Sequence, residues 1–249
     1  MNSNMFIIHI PHASLDMPNI FLERLTLPLE HIQKENIFIS DYLVDKFVPK
    51  DFKNIVKFSY SRIFCDVERY LDDKQEEMSK YGMGVLYTKD SNQSTFIKYD
   101  DTYKNIVIKN YYKKHHNKLN NLTKKILKEY NKCYILDLHS YSSLFVGKLF
   151  GYKNNPDICI GINKTGYDKK LLDLTIKHFK ENGYTVKINY PYSGALIPNI
   201  KSNNIYSMMI EINKRVYLNN NYNKFYKCMM DYYDKIKKQI WLYLFFNYI

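Results

Sequence analysis

Three short apolar runs constrain this chain more than anything else in it: MFIIHI (Met5 to Ile10), CYILDLHS (Cys133 to Ser140) and IYSMMIEIN (Ile205 to Asn213). Apolar runs of this length, bounded by turn signals and rich in Ile, read as buried strands. Strands covered on both faces belong to largely parallel sheets clothed in helices, since a sheet with one wet face alternates apolar and polar residues. Stretches of helical periodicity separate the runs. The expected fold class is therefore α/β, a mostly parallel sheet flanked by helices.

Chemistry-bearing residues sit at or just past the ends of these runs. His12 follows the first, just after Pro11 stops it; His139 closes the second; Glu211 lies in the third. Sheets of this kind collect ligands at the carboxyl ends of their strands. Two imidazoles and a carboxylate arriving on three separate strands suit a metal-assisted hydrolase.

Such a site needs a third protein ligand, with a fourth position left for water. No HExxH or HxxE helix supplies it, and the position where an HxxE motif would carry Glu is Leu15. Ser40 is placed to cap a helix running from Asp41 to about Val48, with Leu43, Val44 and Phe47 on one face. Asp41 and Asp45 then share another face, and either can serve as ligand. Asp137 lies two residues before His139 and shares its face of the strand, where it can orient the imidazole.

Glu211 among Met and Ile is costly to bury unpaired. It is either a general base, its pKa raised by burial, or the ion-pair partner of Lys214 or Arg215. SRIFCDVERY brings Arg62 and Arg69 together with Asp66 and Glu68. An arginine fork can bind a substrate carboxylate or polarise a scissile carbonyl, and the acids can simply hold the arginines. In PYSGALIP, Gly194 either lets backbone approach a substrate or makes an ordinary turn.

The remaining pattern fills in the frame. Pro18 to Leu25 reads as a short helix, Asn54 to Tyr60 as a strand, Leu71 to Gly84 as a loop and GVLYT (Gly84 to Thr88) as a short strand. Tyr103 to Tyr130 is a long helix whose stripe, Ile106, Ile108, Tyr112, Leu119, Leu122, Ile126 and Leu127, is imperfect. DICIGIN and YTVKINY are strands, and Asp168 to Asn182 is a helix ended by Gly183. No linker or internal repeat divides residues 1–249, so a single domain is expected.

Net charge is +12 with 25 tyrosines, a basic balance that invites a nucleic-acid reading. Lys, Asn, Ile and Tyr are enriched together, however, as A/T-rich codons alone would produce, which argues against nucleic acid as the partner. Cys65, Cys133, Cys159 and Cys228 form no CxxC pair, which points to reduced thiols in a cytoplasmic protein. FIIHI is too short for a secretory segment, and the terminal IWLYLFFNYI, about half a membrane span, reads as the end of a helix.

In order, IPHAS, SDYLVD, SRIFCDVERY, YGMGVLYT, YYKKHHNKL, LDLHSYSS, PDICIG, PYSGALIP and MIEINKRVYL resemble the N-formylglutamate amidohydrolase family, from about residue 7 to 218. The resemblance implies a phosphorylase/hydrolase-like fold, a three-layer α/β/α arrangement around a mixed, mostly parallel central sheet, with one Zn2+ per chain and a small-molecule N-acyl amino acid as substrate. It makes His12, Asp41 and His139 the metal ligands, with Asp45 in reserve. It makes Glu211 and Arg62 catalytic, and Arg69, Glu68, His116, Tyr192, Ser193 and Gly194 substrate-binding. Glu68 stands where related zinc deacylases have Asn, and His115 where the family has Tyr. A zinc deacylase or peptidase with another substrate, or a non-catalytic nucleic-acid binder, are the rival readings. The oligomeric state is left open.

Overall fold

A computed structural model of the chain describes residues 3–218 and 220–247. A sheet of six strands carries the fold, in the order β2-β1-β3-β6-β4-β5. In chain order these are β1 (Phe6–Ile10), β2 (Ile55–Lys57), β3 (Cys133–Tyr141), β4 (Ile158–Gly161), β5 (Val186–Ile188) and β6 (Ile205–Asn213). The first four in spatial order run parallel, β4 runs antiparallel to β6, and β5 follows β4. The sheet is thus mixed and mostly parallel, with helices on both faces.

Strand alternation sorts the side chains into two layers. Phe6, Ile8, Ile10, Leu136, Leu138, Ile210 and Ile212 pack into one core with Leu171, Leu172, Phe179, Phe225 and Tyr232. That core is covered by α6 (Lys169–Glu181) and α8 (Tyr222–Asn247). Ile7, Ile135 and Ile205 face the other way, against Leu119 and Ile126 of α4 (Lys113–Tyr130). A third apolar cluster joins Phe21 of α1 (Asn19–Leu22) and Ile32 of α2 (Leu29–Ile39) to Phe64, Phe96 and Tyr103.

The long helix from Asp101 is continuous but not regular. It runs as α3 (Asp101–Val107), a π turn over Ile108–Tyr112, then α4. Asp100 caps it, accepting from the Tyr103 amide at 2.7 Å. The π turn inserts a residue into the helical period, which is why the apolar stripe in the sequence is imperfect. Asp168 caps α6 in the same way, and Gly183 follows its end at φ +83°. Two shorter helices, α5 (Ser143–Phe150) and α7 (Arg215–Leu218), follow β3 and β6.

Two expectations fail in detail. Residues 41–48 are not an α-helix: Ser40 ends α2 instead of starting a helix, and only Val44–Phe47 form a 3-10 turn. The helix just before it, α2, has a weak apolar period. Gly84 to Thr88 forms only isolated bridges, Met83 to Tyr87 among them. Among the described residues all four cysteines are free and buried, and no helix is long and apolar enough to cross a membrane. How the IWLYLFFNYI side chains pack lies outside the described residues.

Candidate active site

Parallel β1, β3 and β6 end at one edge of the sheet, and alternation does the aiming. His9, Asp137, His139 and Glu211 occupy the positions between the apolar residues of the first core, so all four face the side covered by α4. Register then pairs them: His9 opposite Asp137, and His139 opposite Glu211.

Past β1, the His12 carbonyl accepts the Asp41 amide at 2.9 Å, joining the loop after the strand to the end of α2. Asn36 secures this junction: its Oδ1 accepts from Ser40 Oγ at 2.8 Å and Ser61 Oγ at 2.6 Å, and its Nδ2 donates to the Leu15 carbonyl at 2.8 Å. Asp41 Oδ2 comes to lie 3.0 Å from His139 Nδ1 and 3.6 Å from His12 Nδ1. The two rings sit 5.2 Å apart, and one ligand atom from each of the three residues falls within 4.8 Å of the others.

His12 Nδ1 and Asp41 Oδ1 are buried without a hydrogen-bond partner. Buried polar atoms are normally satisfied, so two orphans on adjoining residues mark where a ligand would bind. Two imidazole nitrogens and a carboxylate oxygen are the donor set of an open zinc site, and the residues fit such an ion. Asp41 joins the histidines; Asp45 does not. Asp45 is bound to Lys57 at 2.7 Å, because the segment is a 3-10 turn and not the helix that would align the two acids.

Behind His12 stands Asp66, fully buried. Its Oδ1 lies 2.8 Å from His12 Nε2, and its Oδ2 accepts from Arg62 Nη2 at 2.8 Å, Arg62 Nε at 3.2 Å and the Tyr87 hydroxyl at 3.0 Å. Burial pushes the Asp66 carboxyl up, but His12, Arg62 and Arg69 together hold it well below the usual carboxylate range. Arg69 Nε is 3.4 Å from the same oxygen, buried and without an aligned partner. Cys65 is inert beside them: burial raises its thiol well above the ordinary value.

Glu211 has no ion-pair partner among the described residues. Burial raises its pKa to about 8, His139 and Arg62 oppose the shift, and Asp41 and Glu68 add to it. Its Oε2 is unpaired. The alternative of pairing with Lys214 or Arg215 is overturned. Lys214 Nζ donates to the Phe38 carbonyl at 2.6 Å, and Arg215 Nε to Asp157 at 3.0 Å. Both turn away where β6 gives way to α7.

Glu68 reaches towards the histidines, its Oε2 3.2 Å from His139 Nε2. Asp137 Oδ1 lies 3.0 Å from the same nitrogen and 2.8 Å from His9 Nδ1. His9 Nε2 in turn meets His115 Nε2 of α4 at 2.8 Å. Burial, with His9 next, takes the His115 pKa down to about 2, so that ring stays neutral. His116 Nε2 donates to the Val67 carbonyl at 2.7 Å and its ring packs on Tyr112, anchoring the loop of Glu68 and Arg69 to the helix.

The loop after β5 closes the other side. Tyr192 packs edge-on to Tyr141, Ser193 is exposed, and Gly194 sits at φ +82°. Its carbonyl comes so close to Gly161 that a Cβ there would stand 2.1 Å from it. Burial, with Glu211 adding to it, raises the Tyr192 hydroxyl.

Sequence reasoning missed His9, Tyr87 and Asn36, and left His115 without a role. His9 carried a usable signal: an imidazole inside an apolar strand calls for a partner as strongly as Glu211 does. Nothing local marks Tyr87 or Asn36, whose partners are 21 and 25 residues away.

The family model described as N-formylglutamate amidohydrolase matches residues 4–218. Among solved structures, the N-formylglutamate amidohydrolase of Ralstonia eutropha JMP134 superposes with a TM-score of 0.82 at 21% identity, covering 94% of this chain and 93% of that one. A gene product of Agrobacterium tumefaciens superposes with a TM-score of 0.66 at 16% identity, covering 94% and 92%. At these identities the likeness is one of fold. No curated protein matches the chain.

Proposed function

Because this chain belongs to the N-formylglutamate amidohydrolase family, whose reaction is the hydrolysis of an amide, we propose that it cleaves N-formyl-L-glutamate, or a similar N-acyl amino acid, to the acid and the free amine. The observation that carries this reading is the convergence of His12, Asp41 and His139, with unpaired buried atoms, beside a carboxyl held protonatable near neutral pH. We take residues 1–249 as one catalytic domain and Zn2+ as the ion.

His12 Nδ1, His139 Nδ1 and Asp41 would hold that ion. When bound, it supplies Lewis acidity, which makes water a stronger acid near neutral pH. Asp66 keeps the His12 ring turned the right way by taking its Nε2–H, and the Asp137 carboxylate stands 3.0 Å from His139 Nε2 to balance its charge. Glu211 takes the proton of the attacking water and passes it to the leaving amine. Its raised pKa suits both halves of that task.

Arg62, pinned by Asp66 and the Ile39 carbonyl, stabilises charge developing on the amide oxygen. Arg69 binds the substrate carboxylate through its fork. His116 holds the Val67 carbonyl and so fixes the loop that carries Arg69 and Glu68. Tyr192, Ser193 and Gly194 line the amino-acid side.

The deciding experiment pairs elemental analysis of the purified protein with formate release from N-formyl-L-glutamate, run beside a panel of N-acyl amino acids. Metal content with release from at least one panel member is the expected result. A metal-replete protein that hydrolyses none of them sinks the proposal.

A further inference from the structure

Beside the His12, Asp41 and His139 group lies a second one, made of His9, Glu68 and Asp137, whose ligand atoms also fall within 4.8 Å of one another. The two groups share no residue, yet Glu68 faces both. Its Oε1 is 3.6 Å from His9 Nδ1, while its Oε2 is 3.7 Å from His12 Nδ1. One carboxylate oxygen turned to each of two nitrogen-bearing groups is the geometry of a bridging carboxylate, found where two ions sit about 3.5–4 Å apart. An independent observation points the same way. His139 Nε2, on a residue only 4% exposed, is 3.0 Å from Asp137 Oδ1 and 3.2 Å from Glu68 Oε2, but aligned with neither and without a hydrogen bond. With Nδ1 on the first ion this nitrogen carries the ring proton, so the two carboxylates it faces have a single N–H between them there, and a cation supplies the charge they lack.

We propose that the chain binds a second divalent transition-metal ion through His9 Nδ1, Asp137 and Glu68, with Glu68 bridging to the first ion. This rests on reading the His12 group as a metal centre, because the far oxygen of the bridge needs an ion of its own. One imidazole and two carboxylates suit zinc, manganese or cobalt. The ion replaces the proton that His9 Nδ1 shares with Asp137 Oδ1 at 2.8 Å. Two tetrahedral ligands at about 2.1 Å from an ion stand about 3.4 Å apart, so this contact opens by roughly half an ångström. With Nδ1 on the metal, the one proton of the His9 ring sits on Nε2 and is donated to His115 Nε2, 2.8 Å away. That is the outer partner a ligating histidine requires, and the buried, neutral His115 ring accepts it at Nε2 with its own proton on Nδ1.

Titration of the metal-free full-length protein with Co2+, followed by visible absorbance and by elemental analysis after dialysis, tests this. Wild type should saturate at two equivalents, and Glu68→Gln and His9→Gln at one each. Glu68 is the least buried ligand, so its variant is the least disturbing to the fold, and thermal melts of the metal-free proteins check that both variants remain folded. Saturation of wild type at one equivalent, unchanged in Glu68→Gln but lost in His12→Ala, overturns the second ion and leaves the proposed function standing. Two equivalents surviving in both variants overturns the assignment of ligands. No binding at all overturns both readings.

Discussion

Asp66 gathers His12, Arg62, Arg69 and Tyr87 around a single buried carboxylate, and its charge is what makes that gathering stable. Asp66→Asn keeps the shape but takes the ion-pair partner from Arg62 and leaves Arg69 only Glu76, 3.9 Å away. Breaking a buried pair from one side costs about 3–5 kcal/mol, and losing an outer partner of a ligating histidine weakens metal binding about 10–100-fold. Chemical denaturation and metal titration of the variant should show both losses. Glu211→Gln tests a different link. It should retain full metal content while kcat falls by about 10²–10⁴, the usual contribution of a general base. An active variant ends the assignment.

Glu211 also gives a sign to the pH dependence of the metal-free protein. Its pKa is raised from 4.5 to about 8 in the folded state, chiefly by burial. The folded state therefore holds the proton more tightly than the unfolded chain. The stability this brings is fully present below about pH 4.5 and is lost as pH rises through about 8. Melts of metal-free wild type should fall across that window relative to Glu211→Gln, in which the group does not titrate.

Among the elements, the strands of this site were legible and the segments between them were not. β1, β3 and β6 announce themselves because continuous burial on both faces demands unbroken apolar runs. The face on which Asp137 and His139 lie follows from a period of two. Asp41 could not be placed by the same logic. Its position depends on α2 ending at Ser40, and that end is fixed by Asn36 reaching the loops at Leu15 and Ser61. The loop 192–194 is likewise set from outside, by β4. Gly161→Ala puts a Cβ 2.1 Å from the Gly194 carbonyl, so the loop must move. Raised KM with metal content unchanged is the expected outcome, measured by steady-state kinetics beside a metal assay.

Over the whole molecule, the sheet brings two imidazoles and a carboxylate to one edge and buries them with atoms left unpaired. A ligand that binds only the folded chain stabilises it by mass action, by about 4 kcal/mol at a thousandfold excess over Kd. Adding Zn2+ to the metal-free protein should therefore raise Tm in a concentration-dependent way, and His139→Ala should shrink the rise by the share of the first ion.

Sequence alone determined the fold class, the strands that carry His12, His139 and Glu211, and the family, because burial periodicity and ordered local motifs are written along the chain. Only the tertiary structure decided that Asp41 and not Asp45 lies beside the two histidines, that Glu211 has no ion-pair partner among the described residues, and that His9 and Glu68 adjoin the first group. Those facts depend on contacts between residues far apart in sequence, and no local propensity encodes a distance across the sheet.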